Sequence, residues 1–129
     1  MASLLIVDDD PSLVLLMRTI LEKSGHTITE AGNGQEALVK LGVSPENPSA
    51  ALPDLILLDV MMPIIDGVGV AAALRAHPRA ANIPILIVTA KGDMRSLFEA
   101  MPQVAGFFQK PFTPNALREA VQRATAPRP

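Results

Sequence analysis

Side chains able to do chemistry stand at the ends of four short runs that read as strands. Residues 4–7 end at Asp8, Asp9 and Asp10, and residues 54–58 end at Asp59. Residues 83–89 end on the hydroxyl of Thr89, followed by Ala90, and residues 106–109 end at Lys110-Pro111. If these runs are parallel strands of one sheet, three or four carboxylates, a hydroxyl and an ammonium meet at one edge. Open α/β sheets bind ligands at that edge, outside the carboxyl ends of the strands. Crowded carboxylates cannot all ionise cheaply, because like charges in a partly buried site raise one another's pKa. A divalent cation relieves this. Oxygen ligands, no Cys in the chain and no nearby His suit magnesium or manganese rather than zinc. Magnesium takes one or two carboxylates and fills its other positions with water and phosphate oxygens. The grouping is therefore suited to phosphoryl chemistry. One carboxylate is left as a nucleophile, with a lysine and a hydroxyl to hold the remaining phosphoryl oxygens.

The elements that must position these residues alternate between strand and helix. After the aspartates, Asp10 provides an N-cap and Pro11 the first position of a helix expected to run to Ser24, with Gly25 as a left-handed stop. Leu13, Leu16, Met17, Ile20 and Leu21 share one face of it. Residues 27–31 read as a second strand, and Asn33-Gly34 opens a short helix through Leu41. Residues 42–53, rich in Pro, Ser and Gly, read as a loop. The third strand, 54–58, is aliphatic throughout its interior, as expected when both sheet faces are covered. A turn over 63–67 leads to an Ala-rich helix ending near Ala76. The fourth strand spans 83–89, a helix covers about 93–101, and the fifth strand spans 106–109. Thr113-Pro114 caps a last helix to about Ala124. Five βα units predict a doubly wound parallel sheet with helices on both faces and right-handed crossovers.

Composition excludes several other classes. The chain has 129 residues, 49% of them hydrophobic and 19% charged, which describes a folded globular domain. A net charge of −2, no Trp or Tyr and only four Phe leave little to grip a polyphosphate backbone or stack bases, so no direct nucleic-acid partner is expected. No run approaches 18 apolar residues, and the start of the chain lacks the basic and long apolar regions of a signal peptide, so a cytoplasmic protein with no membrane insertion is expected. The domain is expected over residues 1–125, with 126–129 as a tail or linker stub.

Each chemical residue taken alone has an ordinary explanation. Asp10 serves as a helix cap, Asp59 as loop polarity, Thr89 as a strand-edge hydroxyl and Lys110 as a solvated ammonium. Their joint placement at four strand ends is what carries weight. Gly32-Asn33-Gly34-Gln35-Glu36-Ala37, with Asp54 downstream, has the spacing of a dinucleotide-binding loop. It comes after the second strand, however, and reads more simply as a turn before a helix. His26 and His77 lack ligand spacing and are expected to be solvated loop histidines.

The segments LLIVDDDPS, LILLDVMMPIIDG, ILIVTA and FFQKPF, in this order, make the chain similar to the receiver domain of two-component response regulators, and to single-domain regulators of the chemotaxis type in particular. That resemblance implies a flavodoxin-like sheet of order 2-1-3-4-5. It implies that Asp59 accepts a phosphoryl group from a phosphohistidine on a histidine kinase or histidine phosphotransfer protein. Asp9 would ligate Mg2+ directly (Mn2+ is the alternative), with Asp8 acting through water and the Met61 backbone carbonyl as a further ligand. Thr89 and Lys110 would hold phosphoryl oxygens, Ala90 would leave space beside them, and Lys110-Pro111 would be cis. Phosphorylation would draw Thr89 inward and rotate Phe107, changing the surface of the helix near 93–101, the fifth strand and the last helix. That surface would control a downstream effector, and a phosphorylation-dependent dimer stays open. Such a protein is not an enzyme in the ordinary sense, since it catalyses only its own phosphorylation and dephosphorylation.

Two other classes compete. Asp8-Asp9-Asp10-Pro11-Ser12 also resembles the DxDx[ST] opening of haloacid-dehalogenase-type phosphatases, with Asp8 as nucleophile and Asp10 as acid/base. A pseudo-receiver that binds partners without phosphorylation is the third reading. The chain departs from the receiver pattern in a longer connection over 43–53 and in the residues flanking the phosphoryl position, Met61 and Lys91. The apolar Met61 side chain is expected to hinder water and slow loss of the phosphoryl group. Leu15 falls on the polar face of the first helix, and with Val14 it forms an expected dock for the kinase or phosphotransfer protein. No DNA-binding element comes after the last helix, so a stand-alone regulator or a receiver cut from a longer protein is expected.

Overall fold

The computed structural model describes residues 2–59, 67–89, 103–109 and 113–125. In chain order these form β1 (Ser3–Val7), α1 (Pro11–Lys23), β2 (Thr27–Ala31), α2 (Gly34–Lys40), β3 (Leu55–Leu58), α3 (Gly67–Arg75), β4 (Ile85–Thr89), β5 (Val104–Gln109) and a C-terminal helix α4 (Pro114–Thr125). Of the expected turn over 63–67 only Gly67, the first residue of α3, is described; residues 63–66, the helix near 93–101 and the tail 126–129 lie outside the described residues. All strand pairs are parallel and the order is β2-β1-β3-β4-β5, the doubly wound arrangement expected from the alternation of elements.

Side chains alternate across the strands, so uniformly aliphatic strands feed two cores. Leu5, Val7, Ile56, Leu58, Ile85 and Ile87 pack with residues of α2 and α3 such as Leu38 and Leu74. Leu4, Ile6, Leu55, Leu57, Leu86 and Val88 pack on the other face, with Met17 and Leu21 of α1 and Leu117 and Val121 of α4. Each such side chain contributes about 1.5–3 kcal/mol of burial. The rigid sheet between the cores fixes the spacing of the loops at its carboxyl edge. No described helix is long and apolar enough to cross a membrane.

Capping chemistry sets the helix limits. The Asp10 carboxylate accepts the Ser12 and Leu13 amides, and Gly25 (φ 94°) ends α1 with the His26 amide on the Leu21 carbonyl and the Gly25 amide on the Glu22 carbonyl. Two strand limits differ from expectation. β4 begins at Ile85 rather than residue 83, because the Ile83 amide closes a turn onto the Ala80 carbonyl and Pro84 has no N–H for the ladder. β5 begins two residues earlier than expected: Val104 pairs with Ile85 and Gly106 with Leu86, so Ala105 is an inserted, bulge-like residue.

The apolar stripe of α1 is also rotated. Val14 is buried and Leu16 is 48% exposed, the reverse of the expected arrangement. With about 100° per residue, Val14 lies about 60° from the central Met17 and Leu16 about 100°, at the edge of the stripe. Nor are the histidines simply solvated. His26 is half-buried and its Nδ1 accepts the Ala2 amide; His77 is half-buried between Glu46 (Nε2 to Oε1, 3.1 Å) and the Arg79 amide. Residues 42–53 form a loop as expected, but an organised one. Arg79 donates to the Gly42 and Asn47 carbonyls, at 3.2 and 2.8 Å.

Candidate functional site: an acidic cluster at the carboxyl edge of the sheet

Asp8 and Asp9 leave β1, and Asp59 leaves β3 from the adjacent strand. The Asp8 amide donates to the Ala31 carbonyl (3.1 Å) and the Asp59 amide to the Val7 carbonyl (2.9 Å), so the ladders continue one step beyond the strands. Backbone therefore positions these acids. One carboxylate oxygen from each of Asp8, Asp9 and Asp59 lies within 4.8 Å of the other two. Asp8 and Asp59 are only 2% and 5% exposed, while Asp9 faces solvent. Asp8 Oδ1 also accepts the Asp10 amide at 3.0 Å, which fixes its orientation.

Two full charges 4 Å apart repel by on the order of 4 kcal/mol at an effective dielectric constant near 20. Three carboxylates at this spacing, two of them buried, are suited to a small hard cation. The donor set therefore fits a divalent ion with oxygen ligands. Asp10 stands outside the group, its carboxylate held by the amides of its own helix, which removes the acid/base partner that the phosphatase pairing with Asp8 requires. The dinucleotide-loop spacing resolves the same way. Asn33 caps α2 by accepting the Glu36 amide, and Asp54 accepts the Ser3 amide at 2.8 Å.

Thr89 is the last residue of β4 and pairs in register with Gln109, the residue before Lys110. It therefore stands at the same carboxyl edge as the acids. Met61, Ala90, Lys91, Lys110 and Pro111 lie outside the described residues. Phe107 pairs with Ile87 and is half-buried against the core under α2 and α3. Leu15 is 64% exposed, as expected, whereas Val14 belongs to the core.

A cleft of about 230 Å³ opens beside the acids, with Asp8, Asp9, Val14, Leu15, Glu30 and Gly32 among its lining residues. Glu30 is not among the residues that sequence reasoning singles out, and Gly32 enters it only as the first glycine of the dinucleotide-like spacing. Gly32 directly follows β2, the position that marks the acids of the first and third strands, whereas Glu30 lies within the strand and carries no such signal. The Glu30 carboxylate is held by Arg18 (2.6 Å), which also meets Glu22 (3.2 Å), and hydrogen bonds to these two carboxylates, Glu30 foremost, raise the guanidinium's pKa.

The family model for the response regulator receiver domain matches residues 4–122, and the chain belongs to that family: it is a receiver domain of the two-component systems. It is 40% identical over 124 residues to the transcriptional regulatory protein SrrA of Staphylococcus aureus, an alignment covering 95% of this chain and 46% of that protein. The chain thus spans about half the length of the curated relatives it matches. Among solved structures it is similar to the chemotaxis protein CheY4 of Vibrio cholerae, with 30% identity, a TM-score of 0.83 and coverage of 96% and 98% of the two chains. It also shares its fold with the receiver domain of the sensor histidine kinase PA1611 of Pseudomonas aeruginosa, which has a magnesium ion coordinated in its active-site cleft. That likeness has 24% identity, a TM-score of 0.81 and coverage of 96% and 97%.

Proposed function

We propose that this receiver domain, comprising residues 1–125, accepts a phosphoryl group on the Asp59 carboxylate from a phosphohistidine of a histidine kinase or histidine phosphotransfer protein. The observation that carries the reading is the grouping of Asp8, Asp9 and Asp59 within 4.8 Å at the ligand-binding edge of the sheet. Asp9 would hold Mg2+ directly and Asp8 through water, with Asp59 and the Met61 carbonyl completing the protein ligands. When bound, the ion offsets the charge of the carboxylates and of the phosphoryl oxygens.

An Asp59 oxygen forms the new P–O bond as the donor's P–N bond breaks, and the departing imidazole takes up a proton. The Thr89 hydroxyl hydrogen-bonds one phosphoryl oxygen and the Lys110 ammonium pairs with another, which stabilises charge at the transferring group. The domain turns over no other substrate. Loss of the phosphoryl group to water is slowed by the apolar Met61 side chain. Movement of Thr89 toward the phosphoryl group frees the space into which Phe107 rotates, and the changed surface governs a downstream effector in the cytoplasm. Leu15, exposed beside the cleft, docks the phosphodonor.

Incubation with acetyl phosphate and magnesium, followed by intact-mass spectrometry, tests the reading. Wild type gains one phosphoryl group and Asp59→Asn gains none. Equal incorporation in both, or none in either, overturns it.

A further inference from the structure

A second recess opens on the α2 side of the sheet, toward the amino ends of the strands and away from the acids. It has a volume of about 310 Å³ and is lined by Ser3, Leu5, Thr29, Lys40, Leu41 and Pro53, with Ala51 at its rim. Element lengths explain it. The seven residues of α2 span about 10 Å, and the five of β2 about 17 Å, so the helix cannot cover the amino half of this edge strand. The 42–53 connection folds back beside the gap, pinned by Arg79 to the Gly42 and Asn47 carbonyls and by His77 to Glu46.

Floor and rim differ in chemistry. Leu5 and Leu41, 2% and 1% exposed, form an apolar floor beside Pro53. Lys40, Ser3 and Thr29 are the polar residues of the lining, and among the described residues no carboxylate-bearing residue belongs to it. Lys40 donates to the Glu30 carbonyl and lies 3.6 Å from the Glu36 carboxylate. An ammonium has three donors, so capacity for a further acceptor remains. The volume is at the lower end of small-molecule sites, which combine an apolar lining with a few orienting polar groups.

We propose that this recess binds a small amphipathic anion, a carboxylate on a short aliphatic body, with the body on Leu5, Leu41 and Pro53 and the carboxylate on Lys40 and Thr29. The site is separate from the phosphoacceptor centre and does not depend on the reading of Asp59.

Hexanoate and 1-hexanol serve as probes, titrated into the 15N-labelled protein and followed by the amide signals of Leu5, Thr29, Leu41 and Ala51. Hexanoate is expected to give saturable shifts at these residues, with hexanol at least fivefold weaker. Lys40→Met is expected to weaken hexanoate at least fivefold. Ala51→Trp, a surface substitution that fills the recess, is expected to abolish binding. The proposal is overturned by the absence of saturable shifts, by equal affinity for the two probes, or by unchanged hexanoate affinity in a Lys40→Met protein that keeps its wild-type spectral dispersion.

Discussion

The Asp59 amide donates to the Val7 carbonyl at 2.9 Å, and this bond carries the β1–β3 ladder one step past both strands. The peptide it engages is the one that precedes Asp8. Two buried acids from segments about fifty residues apart are thereby set side by side by main chain alone, with Asp9 closing the group from the solvent side. Side-chain chemistry at 59 can change while the position is kept, which makes the site open to conservative substitution.

Crowded carboxylates cost stability that a bound cation restores. Magnesium at one hundred times its dissociation constant should stabilise the wild type by about 2.7 kcal/mol, and Asp9→Asn should lose most of that gain. In chelator the same variant should be more stable than wild type, since one of three repelling charges is gone. Thermal melts with and without magnesium check both signs; equal magnesium shifts in the two proteins would contradict the account.

Leu15 lies opposite the core stripe of α1, 64% exposed. Leu15→Asp should change stability by no more than about 0.5 kcal/mol, as surface substitutions do. Phosphotransfer from the partner kinase should fall at least tenfold while labelling by acetyl phosphate stays at the wild-type rate. A stopped assay with each donor separates the two, and an unchanged kinase rate removes Leu15 from the docking surface.

Gly42 ends α2 with φ +71°, and a Cβ there would lie 2.3 Å from the Asn47 carbonyl oxygen. Left-handed backbone alone costs a non-glycine residue about 1–2 kcal/mol, so Gly42→Ala should lose at least that much in denaturant unfolding. Gly32→Ala, whose nearest such contact is 3.8 Å, should lose under about 0.5 kcal/mol. Similar losses at the two positions would contradict the description of the 42–53 loop.

Burial, and secondarily the positive chain terminus, push the His26 imidazole below its ordinary range. Its Nδ1 accepts the Ala2 amide, which a protonated Nδ1 cannot do. As pH falls below about 6.5 the unfolded histidine protonates before the folded one. The unfolded state then binds more protons, and stability declines until the folded pKa is passed. Above about pH 6.5 the residue contributes no pH dependence. His26→Asn, which keeps an acceptor for the Ala2 amide, should flatten this part of the stability profile, measured as the unfolding midpoint from pH 7.5 downward.

The strands that matter for the site were legible because two covered faces demand aliphatic residues at every position, and in β1, β3 and β4 the run stops where polar chemistry begins. Helix ends were legible where a side chain or glycine acts locally, as at Asp10 and Gly25. What escaped depends on contacts distant in sequence. Val14 displaces Leu16 through the orientation of α1 on the sheet, Ala105 is accommodated by a register shift against Ile85, and His77 is held half-buried by Glu46 of a loop about thirty residues upstream. Glu30 lies inside its strand rather than behind it, and only the pairing of β2 with β1 brings it beside Asp8 and Asp9.

The most direct test of the central claim is the identity of the phosphorylated atom. Borohydride reduces an acyl phosphate to the alcohol, so protein treated with acetyl phosphate and magnesium, then reduced and digested, should carry homoserine in place of aspartate at position 59 and nowhere else. Homoserine at Asp8, Asp9 or Asp10 instead, or undiminished labelling after Asp59→Asn, would contradict the account.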